Sequence, residues 1–85
     1  MTHSGVRWTP QAIRDLRRLE QELVERIRAA VRALAQEHRG DIRKLQDGDG
    51  LWRLRVGDYR VIFSFDDEAD EIVVLRVKPR SSTYR

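Results

Sequence analysis

The sequence of 85 residues contains no cysteine, only two prolines and five glycines, and no long hydrophobic run. Without cysteine the chain can form neither a disulfide framework nor a thiolate metal site, and a reducing cytoplasm is the expected setting. No apolar run approaches the roughly 20 residues of a membrane span, and the N-terminus lacks the charged-then-apolar layout of a signal peptide. We therefore expect a soluble, cytoplasmic protein without membrane association.

The chain is also too short to enclose a deep cofactor cavity. We expect one domain, residues 1–85, with a single modest core and no internal repeat or linker. The two histidines, His3 and His38, lie outside the basic segments, and the acidic residues 66–71 lack the spacing of a calcium loop. The sequence therefore predicts a surface site that uses no metal and no cofactor.

Basic and acidic residues are unevenly distributed. Seventeen Lys and Arg residues outnumber fourteen Asp and Glu residues, which gives a formal net charge of +3 and an isoelectric point near 9.9. The segment DDEADE at residues 66–71 is acidic, whereas residues 75–85 carry four cations and no acid. Concentrated cations of this kind predict an anionic partner.

Two amphipathic helices are predicted in the first half of the chain. Thr9 and Pro10 combine an N-cap residue with a proline at the first helical position, so a helix is expected from Pro10 to about Leu19. Apolar residues continue at helical spacing, so a second helix is expected to run to about His38, with Gly40 as a left-handed cap. The short gap between them predicts a helical hairpin whose apolar stripes cover one sheet.

Strands are predicted on both sides of this helical hairpin. Val6–Trp8 is a candidate edge strand, whereas residues 41–50 are typical of a turn-rich connection that Ile42 and Leu45 pin to the core. Three consecutive strands follow after residue 50. The predicted class is α+β, with a short N-terminal strand, a two-helix hairpin and then a three-stranded antiparallel sheet.

The β-hairpin at residues 51–65 has a register that can be worked out. If residues 57–58, Gly-Asp, are the loop, Arg55 lies directly opposite Arg60. One face is then apolar and belongs to the core: Trp52, Leu54, Val56, Tyr59, Val61 and Phe63. The other face carries Arg53, Arg55 and Arg60, and like charges paired across a ladder cost up to ~1 kcal/mol. This cost predicts that an anionic ligand binds there.

The last strand is expected to complete the same basic face. Val73, Leu75 and Val77 share one parity and are predicted to face the helices. The alternate positions would then join the hairpin arginines on the uncovered face of the sheet: Ile72, Val74, Arg76, Lys78 and Arg80. The sequence thus predicts a cationic groove on that face.

Four stretches of sequence follow one another over nearly the whole chain. They are WTPQAIRDLRRL at 8–19, KL at 44–45, WRLRVGDYRVIF at 52–63 and KPRSSTYR at 78–85. In this order and spacing they resemble the RelE/ParE superfamily of bacterial type II toxins, and RVGDYRVIF is the most specific part. The resemblance implies a RelE-like fold and a cognate antitoxin that neutralises the toxin in a hetero-oligomeric complex.

The resemblance also implies a reaction and a set of site residues. RelE-like members cut mRNA in the A site of the 70S ribosome without a metal. Their basic strand residues, the arginine after the last strand and the C-terminal tyrosine match five positions here, which are predicted to be catalytic: Arg53, Arg55, Arg60, Arg80 and Tyr84. Further RNA contacts are expected from Lys44, Arg76 and Lys78.

Arginine at positions 53 and 55 departs from the best-studied pattern, which has lysines there. A guanidinium with a pKa above ~12 does not readily give up its proton, so neither Arg53 nor Arg55 is a convincing general base. Two other functions therefore stay open: ParE-like inhibition of DNA gyrase, and a toxin fold kept only as a binding module. Arg80 together with Tyr84 favours the nuclease, because gyrase inhibition does not require them.

Overall fold

A computed structural model describes residues 3–46 and 50–80 of the chain. Within these residues it contains two helices and five strands: β1 (Gly5–Trp8), α1 (Pro10–Arg17), α2 (Gln21–Glu37), β2 (Asp41–Lys44), β3 (Trp52–Val56), β4 (Tyr59–Asp66) and β5 (Glu71–Pro79). The strands form one sheet in the order β1-β5-β4-β3-β2. Strand β1 is parallel to β5, and the other neighbours are antiparallel. The predicted α+β class is confirmed.

Helix α1 begins as its sequence predicts and ends earlier than expected. The Thr9 hydroxyl accepts a hydrogen bond from the Ala12 N–H at 3.2 Å, and Pro10 occupies the first turn. The helix ends at Arg17, two residues before the predicted Leu19. At this end the Arg18 N–H donates to the Asp15 carbonyl at 3.2 Å, and this tighter bond closes the last turn.

Helix α2 ends at a left-handed residue other than the one predicted from the sequence. His38, with φ 58° and ψ 34°, takes the left-handed conformation that was predicted for Gly40. The N–H groups of His38 and Arg39 donate to the carbonyls of Leu34 and Ala33, which satisfies the helix end. Gly40 has φ 149°, and a Cβ there would lie 2.8 Å from the Leu54 side chain. Neither described helix is long and apolar enough to cross a membrane.

Strand β2 corrects the prediction of a turn-rich connection at residues 41–50. Asp41–Lys44 pairs antiparallel with β3 and forms the edge of the sheet. Ile42 packs against the core, as expected, while Asp41 and Arg43 are exposed. This alternation is that of a half-buried strand, but it extends over only four residues between turn-forming segments. The sheet therefore has one strand more than predicted.

The core lies between the two helices and one face of the sheet. The hairpin register is confirmed in full, with Arg55 opposite Arg60 and Leu54 opposite Val61. Side chains of both helices pack against this face and are fully or almost fully buried with it: Ala12, Leu16, Ile27, Val31, Leu34, Ala35, Leu54, Val56, Val61, Phe63, Ile72, Val74 and Val77. The opposite face of the sheet has no helix over it among the described residues.

Strand β5 contains a bulge that overturns the predicted parity. Phe63 pairs with Val74 while Ile62 pairs with Arg76, so Leu75 is an extra residue in β5. Ile72 and Val74 therefore face the core, where Val73 and Leu75 were expected. After the bulge Val77 returns to the core, as predicted. A period of two cannot hold across an inserted residue, which is why strict alternation gave the wrong face.

Candidate functional site

Five arginines line one surface cleft of about 280 Å³ on the uncovered face of the sheet: Arg43, Arg53, Arg55, Arg60 and Arg80. They come from β2, β3, β4 and the residue that follows β5. We call this surface the five-arginine cleft. Arg53 and Arg60 are half-buried, and the other three are exposed. All five described residues that line it are cations, so it is a site for an anion.

The strand register explains how the sheet assembles this cluster. Arg43 lies directly opposite Arg53, and Arg55 lies directly opposite Arg60. Neighbouring strands are about 4.8 Å apart, so each pair brings two like charges close together. Within the described residues no ion pair joins Arg43, Arg53 or Arg55 to a carboxylate. A bound phosphate group would therefore reduce the repulsion between these paired arginines.

Arg80 reaches the cleft because the end of β5 is tied to the β3–β4 turn. Its backbone N–H donates to the Asp58 carbonyl at 2.7 Å. Gly57, with φ 58°, provides the positive φ that this tight turn requires. Pro79 pairs with Tyr59, so the chain leaves the sheet beside the turn with Arg80 at the cleft. The β3–β4 turn thus holds Arg80 beside the arginines of the neighbouring strands.

Sequence reasoning placed four of these arginines correctly and missed one. Arg53, Arg55, Arg60 and Arg80 meet in the cleft, as predicted. Arg43 was missed because its segment was taken for a connection, although the alternation of DIRK could have indicated it. The predicted catalytic residue Tyr84 lies outside the described residues.

The three predicted RNA-binding residues do not line the cleft. Lys78 is closest in register, directly opposite Arg60. Lys44 lies opposite Trp52, which packs against the core, so Lys44 belongs to the other side of this edge strand. The prediction that Arg76 lies on the open face is wrong, because its side chain is bound to Asp15 of α1.

Asp15 and Arg76 form an ion pair between α1 and β5. The Asp15 carboxylate accepts from Arg76 Nε at 2.9 Å, from Arg76 Nη2 at 3.3 Å and from the Val77 N–H at 2.8 Å. Burial raises the pKa of the Asp15 carboxyl, but the bonds from Arg76 and Val77 outweigh burial and leave that pKa below its ordinary value. The hydrogen bond to Asp15 raises the pKa of Arg76. This pair is structural, and it removes Arg76 from the anion-binding face.

The acidic turn between β4 and β5 holds no metal-binding cluster. Arg7 of β1 pairs with Asp66 and Glu71, at 3.4 Å each. Across residues 3–46 and 50–80, no three carboxylate or imidazole side chains are grouped closely enough to hold a metal ion. Asp66 and Glu71 instead connect the end of β4 and the start of β5 to the edge strand β1.

Comparison with known proteins identifies the family. A family model described as the ParE toxin of type II toxin–antitoxin systems matches residues 6–84. The chain belongs to the RelE/ParE superfamily of type II toxins. Toxin RelE of Mycobacterium tuberculosis is 33% identical to this toxin over 81 residues, which cover 91% of this chain and 81% of that protein.

Solved structures agree with this assignment. The archaeal RelE–RelB complex of Pyrococcus horikoshii contains a chain that is 32% identical to the toxin, with a TM-score of 0.74 and coverage of 94% and 97% of the two chains. The RelBE2 toxin–antitoxin complex of M. tuberculosis contains one that is 31% identical, with a TM-score of 0.70 and coverage of 95% of both chains. The toxin therefore has the RelE-like fold, and the relatives support a cognate antitoxin as its partner.

Proposed function

We propose that this toxin is a metal-independent endoribonuclease that cuts mRNA in the ribosomal A site and so stops translation. The observation that carries the proposal is the five-arginine cleft. It lies open on the sheet face, contains cations from three strands and from the residue that follows a fourth, and has no acidic side chain in its described lining. A phosphodiester chain is the ligand that best matches such a surface.

The reaction is cleavage of RNA by its own 2′-hydroxyl. The 2′-oxygen attacks the adjacent phosphorus, its proton passes to a base, and the 5′-oxygen leaves with a proton. The products are a 2′,3′-cyclic phosphate and a 5′-hydroxyl end. The step needs cations where the pentacoordinate phosphorus gains negative charge, and guanidinium groups supply them through bidentate hydrogen bonds.

The positions of the arginines suggest how this work is divided. We assign Arg60, on the strand next to β5, and Arg80, directly after β5, to binding the scissile phosphate. Arg43, Arg53 and Arg55 belong to β2 and β3 and extend the cleft to the sheet edge, where they would bind flanking phosphates. RNA then crosses the strands rather than running along them.

Proton transfer requires a group other than these arginines. A guanidinium stays protonated at neutral pH, so it can stabilise charge but does not act as a base. Tyr84, beyond the described residues, is predicted to orient the 2′-hydroxyl, to stack on a base or to accept the proton.

Inhibition of DNA gyrase is the second candidate function. It is favoured by the family model that matches the chain, because that model describes the ParE toxin. In this case the cleft would contact gyrase or its DNA, and no phosphodiester bond of RNA would be cut.

One pair of assays separates the two functions. Primer extension on mRNA bound to ribosomes detects cleavage, and a supercoiling assay detects gyrase inhibition. We expect cleavage by the parent toxin, cleavage that is slower by roughly a few hundredfold but still measurable in Arg80→Ala, and unchanged cleavage in Arg32→Ala, an exposed arginine of α2 that serves as the charge-matched control. Gyrase inhibition without RNA cleavage would replace the nuclease with the ParE-like function.

A further inference from the structure

We propose that Thr9 and Asp15 are positioning residues that hold the bulge of β5 and thereby place Arg80 in the five-arginine cleft. This inference rests on the proposed function, because it assigns the two residues a role in the cleavage step. Neither residue lies in the cleft. Both act from α1 or its N-cap, on the opposite side of the sheet, through the backbone of β5.

The bulge creates a need for hydrogen-bond partners. An extra residue in one strand disrupts the ladder locally and leaves backbone groups without their usual cross-strand partner. Here the disruption lies at Leu75, between the pairs Phe63–Val74 and Ile62–Arg76. Strand β1 ends at Trp8, opposite Val74, so beyond Val74 this edge of β5 has no neighbouring strand among the described residues either. A buried N–H or carbonyl without a partner costs about 1–3 kcal/mol, so the bulged segment keeps its register only where other groups bind to it.

The N-cap residue of α1, Thr9, and Asp15 within the helix provide those partners. The Thr9 hydroxyl donates to the Leu75 carbonyl at 3.2 Å. The Asp15 carboxylate accepts from the Val77 N–H at 2.8 Å and binds the Arg76 guanidinium through two nitrogens. These contacts reach all three residues from Leu75 to Val77. Helix α1 therefore fixes the segment in which the register of β5 shifts.

The alternative register shows why this segment matters. If β5 continued from the Phe63–Val74 pair without a bulge, Arg76 would lie opposite the fully buried Val61 and Val77 would lie opposite Arg60. A slip by one residue also moves each following side chain to the other face of the sheet. Arg80 would then no longer follow the Tyr59–Pro79 pair into the cleft.

The path from the bulge to the cleft is short. Val77 lies three residues before Arg80, and the Arg80 N–H is bound to the Asp58 carbonyl at 2.7 Å. The segment from Val77 to Arg80 is thus held at one end by Asp15 and at the other by the hairpin turn. Loosening the first attachment is expected to loosen the position of the Arg80 guanidinium.

Thr9 allows the positioning role to be separated from helix capping. Its hydroxyl oxygen accepts from the Ala12 N–H and its proton goes to the Leu75 carbonyl. Thr9→Asp keeps a strong N-cap acceptor but has no proton to donate to Leu75 at neutral pH. Thr9→Ser keeps both functions and is the matched control. Asp15→Asn is a second variant, which keeps an acceptor for Val77 but loses the charge that binds Arg76.

The experiment measures single-turnover cleavage of ribosome-bound mRNA in parental and Arg80→Ala backgrounds, at a temperature where melting curves show every variant folded. We expect Thr9→Asp and Asp15→Asn to slow cleavage roughly tenfold in the parent, as for the loss of one hydrogen bond, and Thr9→Ser to stay within about twofold. Because both substitutions are proposed to act through Arg80, each should slow cleavage by less than about twofold when residue 80 is already alanine.

Equal slowing in both backgrounds would overturn the proposal, since it would indicate a general structural role. An unchanged rate in Thr9→Asp and Asp15→Asn would overturn it as well. Amide hydrogen exchange is a second measurement that does not depend on cleavage: exchange at Val77 and Arg80 should accelerate together in Thr9→Asp, and acceleration at Val77 alone would contradict the link to the cleft. If Arg80→Ala itself cuts at the parental rate, the proposed function fails instead.

Discussion

Of the single substitutions in the cleft, Arg60→Ala should best distinguish an effect on the cleavage rate from an effect on the free energy of unfolding. Arg60 lies between Arg55 and Lys78 in the ladder, so two like charges are paired with it directly. Each such pair costs a few tenths of a kcal/mol to ~1 kcal/mol. Arg60→Ala relieves this repulsion and gives up the contacts and the β-propensity of the arginine, so we expect unfolding free energy to change by no more than about 1 kcal/mol.

The effect on the reaction should be much larger. Loss of one preorganised donor to a developing oxyanion costs roughly 3–4 kcal/mol, or a few hundredfold in rate. Arg60→Lys restores a point charge without the bidentate fork and should give an intermediate rate. The assay is single-turnover cleavage of ribosome-bound mRNA, with growth after induction as the cellular readout and thermal melting of each purified variant in parallel.

Arg32→Ala is the control for this experiment, because it removes one exposed positive charge from α2 and leaves the sheet face untouched. It should cut RNA and arrest growth like the parent toxin. If Arg60→Ala is as toxic as the parent at equal abundance and stability, the five-arginine cleft is not the active site and the role assigned to Arg60 is refuted.

Three further predictions concern salt, pH and the backbone. A plot of the logarithm of RNA affinity against the logarithm of salt concentration should have a steep negative slope. Arg55→Ala should reduce the magnitude of that slope by about 0.7, the value for one lost phosphate contact on a single strand. An unchanged slope would show that Arg55 does not contact the RNA. The pKa of Asp15 is lower in the folded than in the unfolded state, so its stabilisation is fully present above pH ~4 and is lost as pH falls through the folded pKa. Urea titrations should therefore show Asp15→Asn less stable than the parent at neutral pH, with a gap that narrows below pH ~4; a constant gap would contradict the ion-pair assignment. Gly40→Ala should destabilise by roughly 1–3 kcal/mol, because φ is 149° and the new Cβ would meet Leu54 at 2.8 Å; a melting temperature equal to the parent's would show that the turn adapts.

The hairpin could be predicted from sequence because its local signals agree. Gly57 allows the tight turn, and the flanking runs alternate strictly between apolar and polar residues, so only one register puts the apolar side chains together. Four of the five cleft arginines follow from this register and from the position of Arg80. Most of the candidate site can therefore be predicted from the amino-acid sequence alone.

The errors arose where those signals were missing or ambiguous. Ile72, Val73 and Val74 are all apolar, so alternation could not choose a face for β5, and the bulge at Leu75 then shifted the phase. The pairing of Arg76 with Asp15 joins residues 61 positions apart, and no local pattern encodes it. At His38, the hydrogen bonds that end the helix, to the carbonyls of Leu34 and Ala33, are made with a left-handed conformation that residue type alone does not suggest.

The position of β5 inside the sheet has a consequence for the order in which the chain becomes active during synthesis. This strand is made after every other described strand, yet it lies between β1 and β4 and pairs with both. Until it emerges from the ribosome, β1 has no strand to pair with and the arginine cluster is one member short. Contacts between residues this far apart in sequence form late, because the intervening chain must first be closed into a loop. A growing chain therefore lacks both the completed sheet and Arg80, so the proposed cleavage site is not assembled until β5 has left the exit tunnel.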